Sequence, residues 1–164
     1  MVPATDKEEN VQLIGFYAGG KLLGVDILTV REILRDPTIE SIPNAPTFIQ
    51  GCVHIRGEVI PMVNLRDRLG GTVSEDRTDP EWVLIATVND RFLAFAVDSV
   101  TRILRIQADS ILPAPDLILS GKRSHYIRGV CNSEFGMLVA IDLDRLLGTD
   151  EIKALKGMAL PQLT

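Results

Sequence analysis

The stretch IQGCVHIRGEVIPMVNLRDRLG, residues 49–70, decides the architecture, because the chain carries it twice. Residues 127–148, IRGVCNSEFGMLVAIDLDRLLG, align with it without gaps, and Ile, Gly, Leu, Leu and Gly recur at 49/127, 51/129, 65/143, 69/147 and 70/148. Upstream, Val25-Asp26 is matched by Val97-Asp98, and Ile33-Leu34-Arg35 by Ile103-Leu104-Arg105 with a small gap. Self-similarity of this kind marks a duplicated unit. Within the first copy, two apolar runs flank Arg56-Gly57. That layout reads as a hairpin with a tight turn, since glycine accepts the positive φ such turns require. Strand alternation puts Cys52, His54 and Arg56 on one face and Val53 and Ile55 on the other. Arg56 is therefore expected at the hairpin tip, facing solvent. Pro61 makes the following strand an edge strand or a bulged one. In the second copy Glu134 stands where the first has Arg56.

Outward from this hairpin the same grammar repeats. VQLIGFYAGGKLLGVDI reads as two strands around Ala18-Gly19-Gly20, and VREILR (30–35) as a third. DPTIESIPNAP (36–46), with three prolines, reads as a loop. LRDRLGG reads as a helical turn stopped by Gly70-Gly71, and TVSEDRTDPE (72–81) as the joint between halves. WVLIATVNDRFLAFAVDSV gives two more strands around Asn89-Asp90, RILRI another, and YIRGVCN and GMLVAID the last two, before the helical turn LDRLLG. TDEIKALKG is a helix with Thr149 as cap, Asp150 and Glu151 at its positive start, Lys153 and Lys156 at its end, and Gly157 as stop. The expectation is an all-β chain of two duplicated units with about five short strands each. Its divisions are a flexible tail at 1–10, a first unit at roughly 11–78, a second at roughly 79–148, and a C-terminal helix and tail at 149–164. Closure into two small barrels would remove exposed edges, though composition does not separate barrels from a sandwich.

Composition narrows the function. Apolar residues make up 46% of the 164, enough for a core, and aromatics only 5%, so Val, Ile and Leu must build it. No run of 18 apolar residues occurs, and the acidic start MVPATDKEEN does not resemble a secretion signal, so a cytoplasmic protein is expected. A net charge of −5 disfavours nucleic-acid binding. Arg outnumbers Lys 12 to 5, a bias that suits protein interfaces and also a GC-rich genome.

The chemistry of an enzyme is absent from the motifs. GGKLLG (19–24) has neither a P-loop nor a dinucleotide spacing and reads as a hairpin turn. Ser124-His125 is half a triad without a third member. Cys52, His54 and Cys131 are conceivable zinc ligands, but the spacing is wrong and buried packing is favoured. Asp26, Asp98, Asp142 and Asp144 lie near strand ends, where carboxylates cap turns more simply than they exchange protons. No cofactor is expected.

The segments GVDILTVREI (24–33) and NAPTFIQGCVHIRGEVIPMVNLR (44–66) resemble the signature region of the CheW family of chemotaxis adaptors. The resemblance runs from about residue 11 to the C-terminus. It implies two intertwined five-stranded SH3-like barrels without catalytic activity. It implies an adaptor that joins the hairpin tip of methyl-accepting chemoreceptors to the regulatory domain of the histidine kinase CheA, meeting the membrane only through receptors. Carried over by motif, the partner-binding residues are Val30, Glu32, Gly51, Arg56 and Gly57. Here His54-Ile55 replaces the family's usual Asn-Leu and Asn64 its usual Asp, departures that bear on partner choice. The alternatives are an adaptor of a twitching or other non-flagellar pathway and, in another class, a small-ligand or metal-binding β-barrel enzyme.

Overall fold

The computed structural model describes residues 10–65, 80–113 and 124–158. The expected N-terminal tail apart from Asn10, the helical turn at 65–71 apart from Leu65, most of the joint at 72–81 and the tail beyond residue 158 lie outside these residues.

Eleven strands carry the fold among the described residues: β1 (Asn10–Ala18), β2 (Lys21–Asp26), β3 (Val30–Arg35), β4 (Ile39–Glu40), β5 (Ile49–Ile55), β6 (Glu58–Asn64), β7 (Trp82–Val88), β8 (Arg91–Val97), β9 (Ser99–Gln107), β10 (Ile127–Ser133) and β11 (Gly136–Ile141). Short 3-10 turns and one fully described helix, α1 (Thr149–Lys156), accompany them among the described residues. The expected strands all form, and the proline-rich loop contains a two-residue strand, β4, that pairs with β5. Thr149 is the first residue of α1 rather than its cap. Gly148 precedes the helix, and its N–H donates to Glu151 Oε1 at 2.9 Å. The capping carboxylate thus comes from inside the first turn.

The strands form two sheets, ordered β10-β11-β2-β1-β9 and β3-β7-β8-β6-β5-β4. The duplicated units are visible in both, with β1, β2, β3, β5 and β6 of the first half answering to β7, β8, β9, β10 and β11 of the second. The sheets do not divide near residue 78, however. Each half lends its first hairpin to the other half's sheet, so β1–β2 sits with β9–β11, and β7–β8 with β3–β6. The lent hairpins join through the parallel contacts β2–β11 and β8–β6, which only a long connection allows. Strand signals are local, whereas the choice of sheet partner is not, which is why a division at 78/79 followed from the sequence order.

The exchange explains why strands such as LLGV and VLIA are apolar without alternation: both faces are covered. One face of each sheet closes on its own core, Leu13, Leu104 and Leu138 in one and Val53, Met62 and Ile85 in the other. The largest cluster draws on both sheets, setting Phe16, Leu23 and Val25 against Cys52, Val63, Leu84 and Phe95. By contrast β3, an edge strand of its sheet, alternates strictly. Val30, Glu32 and Leu34 are half-buried, and Arg31, Ile33 and Arg35 are exposed.

Candidate docking site

The β5–β6 turn places Arg56 and Gly57 at φ +49° and +79°, the pair of left-handed conformations that lets a two-residue hairpin follow strand twist. Gly57 adopts this freely. Arg56 does not, because its Cβ crowds the backbone there. The β7–β8 turn likewise has two positive φ values, +49° at Asn89 and +65° at Asp90, residues whose short polar side chains tolerate them. An arginine at such a position carries a backbone cost that the surrounding structure must offset.

Its reach is specific. The Arg56 guanidinium forms a fork with Glu32 of β3, Nη1 3.1 Å from Oε2 and Nη2 donating to Oε1 at 3.1 Å. Beside it, Arg31 Nη1 donates to Glu58 Oε2 at 3.1 Å. The two pairs cross: the tip's cation meets the strand's carboxylate, and the strand's cation meets the carboxylate just past the tip. Arg31 also lies over the Phe92 ring, 4.2 Å from its centroid, and Arg35 over Trp82 at 5.4 Å. Ile33 and Phe92 stay 38% exposed, large apolar side chains set among arginines.

Of the expected residues, Glu32, Arg56 and Gly57 come together at this tip. Val30 is half-buried against the shared core, and Gly51 is fully buried. A Cβ at 51 would lie 2.7 Å from the carbonyl oxygen of Glu40, where the chain of β4 crosses. Arg31, Ile33, Glu58 and Phe92 went unnoticed in the sequence. The alternation of VREILR does put Arg31 and Ile33 on one face, but only the tertiary fold, which brings the β5–β6 tip to β3 without pairing the strands, sets Glu58 against Arg31.

The second half carries a matching tip with its charges exchanged. Glu134 sits at the β10–β11 turn and pairs with Arg102 of β9; Arg102 Nε donates to Oε1 at 3.0 Å, and Nη2 meets Oε2. Positions 102 and 134 answer to 32 and 56 in the repeat. Glu134 raises the pKa of Arg102, and Arg102 lowers that of Glu134, each chiefly through this hydrogen bond. A carboxyl so lowered adds stability above its ordinary range, lost as pH falls through the lowered value. Arg102→Ala is expected to return the Glu134 titration, followed by carboxyl NMR, to the ordinary carboxylate range. An unchanged titration would show that the pair does not form in solution.

The remaining candidates are structural. The carboxylate of Asp26 accepts from Leu28 N, that of Asp98 from Gly19 N, that of Asp142 from Asp144 N, and that of Asp144 from Asn89 N. All four are turn caps. Cys52 and Cys131 are buried free thiols, pushed up in pKa first by burial and, for Cys52, also by Glu40. His54 Nε2 stands 3.0 Å from Glu40 Oε2, off the line of an aligned hydrogen bond, whereas Cys52 turns into the core. Among the described residues no group of three or more His, Cys, Asp or Glu side chains is placed to hold a metal. His125 packs edge-on against Tyr126, 6.2 Å between centroids. No helix among the described residues is long and apolar enough to cross a membrane.

The CheW-like domain matches residues 12–151. The chemotaxis protein CheW of Treponema pallidum is 28% identical over 160 residues, covering 96% of this chain and 94% of that one. The CheW of Rhizobium meliloti is 33% identical over 143 residues, covering 87% and 91%. Among solved structures, the scaffolding protein TtCheW from Thermoanaerobacter tengcongensis superposes with a TM-score of 0.74 at 26% identity, covering 87% of this chain and 96% of that one.

Proposed function

Since the chain belongs to the CheW family, whose members are scaffold proteins and not enzymes, we propose that it couples methyl-accepting chemoreceptors to the histidine kinase CheA. It holds receptor and kinase on one rigid body at the inner face of the membrane, which it meets only through receptors. Coupling needs no chemistry. It needs two surfaces fixed relative to each other, so that binding one partner raises the local concentration of the other and receptor conformation biases the kinase. The hairpin exchange supports this rigidity, because the shared core ties the two sheets together.

The observation that carries the reading is the Glu32–Arg56 fork. A strained turn residue is spent on a solvent-facing ion pair that adds little to stability, since exposed pairs contribute about 0–1 kcal/mol. The docking surface is therefore built of Glu32, Arg56 and Gly57, with Val30 anchoring β3 to the shared core and Gly51 setting β5 close against β4. Arg56→Asp sets like charges against Glu32. It is expected to weaken co-sedimentation with a receptor cytoplasmic fragment or with CheA by about 10-fold. Stability to urea should change by no more than about 1 kcal/mol. Intact capture combined with a large loss of stability would remove Arg56 from the docking surface.

A further inference from the structure

The duplication provides an internal control for the crossed ion pairs. Each half bridges its edge strand to its hairpin tip with one arginine–glutamate pair, Glu32–Arg56 in one and Arg102–Glu134 in the other. Each half also bulges its edge strand at the same place. The register slips between Val30 and Glu32 of β3, and between Val100 and Ile103 of β9, opposite Gly15. At the bulge, however, the halves part. Where β3 has Arg31, β9 has Thr101, whose hydroxyl turns inward to the Gly15 carbonyl. Where the first tip is followed by Glu58, the second is followed by Gly136, at φ +108°. The fold thus closes one half without a counterpart of Arg31–Glu58, so closure does not explain that pair.

What the pair does is locate three elements relative to one another. Arg31 holds the bulge of β3, Glu58 the foot of β6 beside the tip, and Phe92 the start of β8, which belongs to the lent hairpin. Bulges re-aim side chains, often beside functional sites. The Arg31 side chain is 33% exposed and that of Glu58 48%, so the network lies at the surface beside the Arg56 fork.

We infer that Arg31 and Glu58 are positioning residues for partner docking: their pair, seated on Phe92, fixes the hairpin tip so that the Arg56–Glu32 fork faces the partner in one orientation. The inference rests on the coupling reading above and adds the residues that set its geometry. A pair that positions works with its charges exchanged, whereas a side chain that touches the partner does not.

The experiment uses the full chain with a receptor cytoplasmic fragment and with CheA, comparing Arg31→Glu, Glu58→Arg and the double exchange for affinity and thermal stability. Each single variant is expected to lose affinity for at least one partner by about 5-fold or more, and the double exchange to recover most of that loss, because it restores the ion pair though not the arginine over Phe92. All three should melt close to the original protein. Single variants that bind as the original does, or a double exchange as weak as the singles, would overturn the positioning role while leaving the adaptor reading standing. An affinity loss that merely tracks lowered melting temperature overturns it as well. An original protein that captures neither partner defeats the adaptor reading, and this inference falls with it.

Discussion

Phe16→Ala is expected to lower the free energy of unfolding by about 3–5 kcal/mol, the range for removing a buried aromatic ring. Phe16 is 0% exposed and lies in the core common to both sheets. Such a loss is a large part of the roughly 5–15 kcal/mol that holds a domain together. Its form matters as much as its size. Phe16 belongs to β1, a strand of the first half built into the sheet of the second, so its cavity opens between the sheets. Both should therefore weaken together. Trp82, the sole tryptophan, stands on β7 in the six-stranded sheet, and Tyr17 on β1 in the other. Urea titrations followed at each ring should shift to a lower midpoint by the same amount and stay superimposed. Separate midpoints would mean that the sheets are independent folding units and that the shared core does not couple them.

Gly51→Val is expected to be nearly as damaging, by about 2–4 kcal/mol, for the opposite reason. Here atoms are added where none fit. The first added carbon would meet the Glu40 carbonyl oxygen at 2.7 Å and Ile39 Cγ2 at 3.2 Å, and a backbone oxygen paired into β4–β5 has little room to retreat. The twin position behaves alike: a Cβ at Gly129 would lie 2.6 Å from the Leu112 carbonyl oxygen. Gly51→Ala and Gly129→Ala should therefore both lower the melting temperature, each by an amount worth about 1–3 kcal/mol. If Gly51→Ala melts like the original protein yet fails to bind receptor or kinase, Gly51 is a contact residue after all and the steric account of it is wrong.

That pair of glycines shows how far the sequence could be read. Their matched positions in the repeat were plain, and so were the strands, since apolar runs punctuated by Gly-Gly, Arg-Gly and Asn-Asp leave few other foldings. Arg56 at a hairpin tip followed from the same local rules, but its fork to Glu32 did not, because the two are 24 residues apart. The sheet partners were not legible. Which hairpin pairs with which edge depends on contacts between residues far apart, and two similar halves offer each hairpin two nearly equivalent seats. The purpose of Gly51 was hidden for a related reason. A motif glycine looks like a docking residue until the chain segment that crosses it, Ile39–Glu40 inside a proline-rich loop, is in place. Arg31 and Glu58 escaped because they are 27 residues apart and meet only through a bulge and a turn.

The exchange of hairpins between the halves has a historical reading. Two identical chains that trade the same element make a domain-swapped dimer, and its twofold axis obliges every mutation to appear at both ends. A single chain holding both copies is released from that obligation. Arg56 opposite Glu32 on one tip, and Glu134 opposite Arg102 on the other, is a difference a symmetric dimer of one gene product has no means to encode. Fusion, on this reading, is what turned one surface repeated into two surfaces able to diverge.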